Sequence, residues 1–126
     1  MRYANIGIAM VAAFSAVFAS PAGAQDAAAG EGVFKRVCAT CHNPTAEGPR
    51  KLGPSLFKVV GRKAGTVEGF KYSTAKRDAD LAWTPDKLDP YLENPRGFMP
   101  GTSMAYAGLK SSTDRANVIA YLQTLK

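Results

Sequence analysis

Cys38-Ala39-Thr40-Cys41-His42 is the stretch on which the reading of this chain turns. Two cysteines separated by two residues, with a histidine directly after, are the pattern of a c-type haem attachment site. Two thiols about one helical turn apart can each form a thioether to a different vinyl group on one porphyrin edge. The next residue then sits beneath the ring, where its imidazole reaches the iron. The same five residues have plainer readings: a zinc half-site, a thioredoxin-like redox pair or a local disulfide. A zinc site takes about four ligands, and the chain holds two Cys and one His in all. A thioredoxin-like pair belongs in a βαβ setting, and no alternating strand runs occur here. The motif together with these exclusions favours covalent haem through Cys38 and Cys41, with His42 on the iron.

Upstream of the motif the chain begins like an export signal. Arg2 supplies a basic start, residues 6–19 are mostly apolar, and Ala22-Gly23-Ala24 forms an A-x-A-like cleavage site after Pro21. The apolar run is shorter than the roughly 20 residues a spanning helix needs. Residues 1–24 are therefore expected to be a cleaved signal peptide, and residues 25–126 a single small domain starting at Gln25, with no stable membrane insertion after cleavage. Export suits the cysteines, since c-type haem is installed outside the cytoplasm and both thiols are consumed. The single basic residue and alanine-rich tail of the leader point to a bacterial periplasm.

A domain of about 100 residues buries a modest share of its surface, so a large planar cofactor would extend the core and folding should depend on it. The chain carries 16 Lys and Arg against 10 Asp and Glu, a formal +6, of which the leader holds only Arg2. No basic run interleaved with aromatics supports nucleic acid. The excess is either solvated surface charge or a means of docking to acidic partners.

Three helical signals follow, with Gly/Pro-rich loops between them. The first spans about 26–40: Asp26 is a plausible N-cap, and Val33, Phe34, Val37 and Cys41 share one face. Gly30 offers room for another helix to approach. Residues 43–82 read as a long, weakly structured stretch punctuated by glycine and proline. Such a stretch is unusual in a compact domain unless it wraps a cofactor, with Phe57, Phe70, Tyr72 and Trp83 facing the porphyrin. The second helix starts at Thr84-Pro85-Asp86 and ends at Asn94-Pro95. Pro90 inside it predicts a kink, or a restart with Asp89 as cap. The third opens near Ser112-Thr113-Asp114, with Val118, Tyr121, Leu122 and Leu125 at i, i+3, i+4 and i+7. The class is small and all-α.

His42 is the only histidine, so a second imidazole cannot complete the iron's coordination within one molecule. The sixth position takes another donor or stays open. Beyond the leader only Met99 and Met104 remain. Met99 precedes Pro100, which favours extended backbone; Met104 follows a Pro100-Gly101-Thr102-Ser103 turn that could aim it inward. Spacing alone leaves the choice open, and either methionine could be apolar filling.

Taken together, these residues resemble a class I cytochrome c, of the mitochondrial and bacterial periplasmic kind, across nearly the whole of residues 30–125. The likeness rests on the Cys38–His42 motif, Leu52-Gly53-Pro54, Gly61-Arg62-Lys63, Gly69-Phe70-Lys71-Tyr72, Trp83, Tyr91-Leu92-Glu93-Asn94-Pro95 and Pro100-Gly101-Thr102-Ser103-Met104. The resemblance implies that Met104 is the sixth ligand and that the Pro54 carbonyl accepts a hydrogen bond from His42. It places Arg62, Tyr72 and Trp83 around a haem propionate, and Tyr91 and Thr102 near the methionine sulfur. Gly30 and Phe34 would meet Tyr121 and Leu122 where the first and last helices cross. The implied function is a one-electron carrier, not an enzyme. It would be a monomer, with one haem c and His/Met ligation, shuttling between respiratory or photosynthetic partners: membrane redox complexes or other periplasmic redox proteins with acidic docking faces. The rival reading is a haem peroxidase or small-ligand-binding protein with an open sixth site. Two departures stand out. Lys76 falls where the family usually has an amide. Lys51, Arg96 and Lys110 are kept from the family's ring of lysines, while Gly32, Val37, Gly97, Ser103 and Ser111 replace others.

Overall fold

A computed structural model of the chain describes residues 25–126. The expected leader, residues 1–24, and its cleavage point after Ala24 lie outside the described residues. Among the described residues there are five helices: α1 (Ala27–Val37), α2 (Thr74–Arg77), α3 (Pro85–Glu93), α4 (Pro95–Phe98) and α5 (Ser112–Gln123). The one β-type pairing among them is an isolated antiparallel bridge between Lys63 and Ala82. The all-α expectation holds.

α1 starts where its cap requires, with the Asp26 carboxylate accepting from the Ala29 amide at 3.0 Å. It ends at Val37, short of the expected residue 40. The Phe34 carbonyl takes the amides of both Cys38 and Ala39, at 2.8 and 2.9 Å, and the Cys38 carbonyl then takes those of Cys41 and His42. The chain thus tightens into turns, and the cysteine motif lies just past the helix instead of in its last turn.

α1 crosses α5 closely. A Cβ on Gly30 would lie 1.9 Å from the Asn117 carbonyl oxygen, so only glycine permits this approach. Phe34 packs on Tyr121 with ring centroids 5.3 Å apart, and the core continues through Val33, Val118, Ile119 and Leu122. Each such side chain contributes about 1.5–3 kcal/mol on burial. α5 is capped by Ser111, whose hydroxyl accepts from the Asp114 amide at 3.2 Å. It is buried on more than the single stripe its periodicity suggests, because Arg115, Ile119 and Ala120 are also enclosed.

α3 has Pro85 at its start and Thr84 in the capping position, although the Thr84 side chain makes no capping bond. Pro90 does not restart it: the helix runs unbroken to Glu93. Proline deprives the Asp86 carbonyl of its helical donor, and both residues are exposed, so water can take that place. Asp89, expected as a possible cap, instead accepts from Arg115 Nε at 2.8 Å. The helix ends at Asn94 as expected, and α4 follows at once because the Asn94 side chain accepts from the Gly97 amide at 3.0 Å.

Residues 43–82 are more ordered than a wrapping loop. Gly61 N bonds to Trp83 O, Trp83 N to Arg62 O and Ala64 N to Leu81 O, at 2.8–2.9 Å, and Lys58 N reaches Leu125 O beyond α5. α2 breaks the stretch, its cap Ser73 accepting from the Lys76 amide at 3.3 Å.

Arg115 fastens this assembly. Its side chain is 8% exposed, and besides Asp89 it donates to the carbonyls of Leu109 and Lys110, each at 3.0 Å. Removing it strands a buried carbonyl and breaks a charged bond. Arg115→Met should lower the unfolding free energy by about 3 kcal/mol in denaturant titration. Arg36→Ala, which loses only an exposed pair with Asp114, should cost under about 1 kcal/mol. Equal small losses would contradict this.

Candidate haem site

The turn after α1 presents three side chains. Cys38 and Cys41 are half-buried and not bonded to each other. Burial pushes the Cys38 thiol up to about 11, helped by Cys41, so it sits as a neutral thiol and not as a thiolate suited to binding a metal or attacking a substrate. His42 Nδ1 lies 2.7 Å from the Pro54 carbonyl oxygen. A carbonyl only accepts, so Nδ1 carries the proton and donates, leaving Nε2 as the free ring nitrogen. Burial lowers the imidazole's pKa below its usual range. The Pro54 bond opposes this, and the charges of Lys76, Arg62 and Lys51 add to it. The ring is therefore held neutral, as a metal ligand must be.

Gly53 makes room for that ring. A Cβ there would lie 2.3 Å from His42 Cε1, while the Gly53 amide is tied to the Cys41 carbonyl at 2.8 Å. The glycine is required by close approach, which the sequence reading missed.

The two candidate methionines are separated by a turn. Thr102 N bonds to Met99 O at 3.1 Å, with Pro100 second and Gly101 third at φ +86°, the arrangement of a type II turn. Met99 is 5% exposed within the core. Met104 is half-buried; its Sδ accepts from the Tyr91 hydroxyl at 3.0 Å, and its amide donates to Thr102 Oγ1 at 3.3 Å. Tyr91 in turn packs on Trp83 and Phe98, with centroids 4.6 and 5.9 Å away. Lys76 Nζ donates to the same Tyr91 hydroxyl at 2.6 Å. The sequence marked Lys76 as a departure but carried no sign of this contact.

The remaining expected residues fall into two groups. Trp83 is in the core beside Tyr91. Arg62 spends Nη1 and Nη2 on the carbonyls of Phe57 and Ser55, at 2.9 and 3.0 Å; burial lowers its pKa, against which Tyr72 acts. The Tyr72 hydroxyl accepts from the Val67 amide at 3.0 Å, and its ring meets Phe70 edge-on at 4.8 Å. Phe57 is half-buried beside the Lys58 ammonium. In this structure Arg62 and Tyr72 brace the loops.

The donor set fits a covalently bound haem. Two half-buried thiols stand on one turn, a neutral imidazole follows with only Nε2 free, and a thioether elsewhere is held by a hydroxyl. Gly53→Ala should cost the haem protein about 1–3 kcal/mol of stability, the range for overpacking. Gly32→Ala, mid-helix with nothing within 4 Å of its Cβ, should gain about 0.5–1 kcal/mol. Denaturant titration checks both, and an unchanged midpoint for Gly53→Ala would contradict the packing.

Comparison with known proteins agrees with this chemistry. The family model described as cytochrome c matches residues 27–126. The chain is 60% identical over 79 residues to cytochrome c of Trypanosoma brucei brucei, covering 63% of this chain and 85% of that protein. It is 46% identical over 119 residues to cytochrome c2 of Rhodomicrobium vannielii, covering 94% of each. It is also 51% identical over 100 residues to cytochrome c-type cyt cy of Rhodobacter capsulatus, covering 79% of this chain and 49% of that longer protein. The chain belongs to the cytochrome c family, and it is an electron-transfer protein, not an enzyme, that carries one covalently attached haem c.

Proposed function

We propose that His42 Nε2 and Met104 Sδ are the axial ligands of the haem iron, and that the chain is a one-electron shuttle of the bacterial periplasm, freed by cleavage after Ala24. The observation that carries the ligand assignment is the bond from the Tyr91 hydroxyl to Met104 Sδ at 3.0 Å, while Met99 is enclosed in the core. The haem supplies the one-electron change between ferric and ferrous iron. A thioether is a weak donor, so His/Met ligation raises the reduction potential relative to two nitrogen ligands.

The chain's own residues do the rest. The Pro54 carbonyl fixes the tautomer and orientation of His42, so the ring need not move between oxidation states. Tyr91 and Thr102 hold the Met104 segment, and the packed rings of Trp83, Tyr91 and Phe98 limit water. Docking is assigned to acidic faces of respiratory or photosynthetic redox partners, through a basic surface that includes Lys51, Arg96 and Lys110. Lys110 Nζ is anchored on the Glu93 carbonyl at 2.7 Å, which fixes one of these charges in place. The exported setting rests on the sequence of residues 1–24.

The test is the weak sulfur-to-iron charge-transfer band of the ferric protein. Met104→Ala should abolish it and open the iron to added imidazole. Met99→Leu should keep it, at a packing cost below about 1.5 kcal/mol. The reverse pattern would overturn the assignment, and a wild type without the band would favour the open-site haem protein.

A further inference from the structure

Lys76 lies on α2, half-buried, with its ammonium close to two aromatic rings. Its Nζ is 4.8 Å from the Trp83 ring centroid and 4.2 Å from that of Tyr91. Among the described residues no carboxylate lies within ion-pair reach of it. Burial pushes the amine down to about 8, so it is still mostly an ammonium at neutral pH. A half-buried cation held by two π faces and one hydroxyl is a costly arrangement for packing alone.

The hydrogen-bond directions follow from the groups themselves. An ammonium has three donors and no acceptor, so in the 2.6 Å contact the Tyr91 oxygen must accept. A tyrosine hydroxyl has one proton to give, and a thioether can only accept. The proton therefore points at Met104 Sδ, 3.0 Å away. A charged donor behind the hydroxyl polarises its O–H bond and strengthens the next bond in the chain.

We propose that Lys76 is a positioning residue for the sulfur ligand: its ammonium commits the Tyr91 proton to Met104 Sδ and so draws electron density from the thioether. The inference rests on Met104 being the sixth ligand. Electron donation from sulfur stabilises ferric iron more than ferrous, so a hydrogen bond that withdraws it shifts the couple towards the ferrous form. The Lys76 charge also favours ferrous iron directly through space, in the same direction but without needing Tyr91. A double-mutant cycle separates the two contributions.

The experiment is a redox titration of purified haem protein at neutral pH, with ferric spectra, for wild type, Lys76→Met, Tyr91→Phe and the double variant. Lys76→Met should lower the equilibrium constant for reduction about tenfold, which is 59 mV for one electron. It should also shift the sulfur-to-iron band without abolishing it. In the Tyr91→Phe background the same substitution should change the constant by less than about threefold, the non-additivity expected of residues acting through one contact. Lys76→Gln, whose carbonyl offers Tyr91 a rival acceptor, should lower the constant at least as far as Met and serves if the Met variant accumulates poorly. An equal change in both backgrounds would overturn the proposal, because Lys76 would then act as a distant charge. So would no change in potential at all. A wild type lacking the band would instead overturn the Met104 assignment beneath it.

Discussion

The hydrogen bond from His42 Nδ1 to the Pro54 carbonyl, 2.7 Å long, is the contact on which the arrangement of the site depends. It fixes which nitrogen carries the proton and leaves Nε2 as the only one free for a metal. It also joins the turn after α1 to a loop twelve residues on, and the Gly53 amide adds a second tie to the Cys41 carbonyl. Because Gly53 has no side chain, the loop closes to within contact of the ring. Burial keeps that ring neutral, and the surrounding cations act in the same direction. Neutrality, tautomer and orientation thus come from one local constraint.

The segment around Met104 is built differently. Met104 lies on an irregular segment, and its position is set by a turn, a threonine and a tyrosine. The Pro100-Gly101 turn sends Met99 into the core and leaves Met104 half-buried, so two similar side chains five residues apart meet different surroundings. Tyr91 links this segment to α3, α3 is fastened to α5 through Asp89 and Arg115, and α5 crosses α1 at Gly30. The two regions of the site are therefore connected through helix packing, so an error in either crossing reaches both His42 and Met104.

Much of this was legible in the sequence because it is local. The Cys38–His42 motif, the Asp26 cap of α1, the Pro85 start of α3 and the periodicity of α5 each lie within a few residues. The whole-chain resemblance supplied the Pro54 acceptor and the residues that the Gly30 face would meet, which spacing alone could not. What was missed depends on distant partners or on elements too short to show a period. α2 and α4 have four residues each, barely one turn. Arg115 sits on a face that reads as polar, and its partners on α3 and the segment before α5 decide its burial. Pro90 suggested a broken helix because the sequence does not reveal that Asp86 and Pro90 both lie on an exposed part of α3. Lys76 stood out only as an unusual residue, and its contact with Tyr91 needed the fold.

The ligation proposed for iron in this protein is one imidazole and one thioether in addition to the porphyrin. X-ray absorption fine structure at the iron edge of the purified ferric and ferrous protein measures that set of neighbours directly. His/Met ligation gives five nitrogen neighbours and one sulfur in both oxidation states, with little change in bond length between them. A shell of nitrogen and oxygen alone, or a five-coordinate iron in either state, would contradict it.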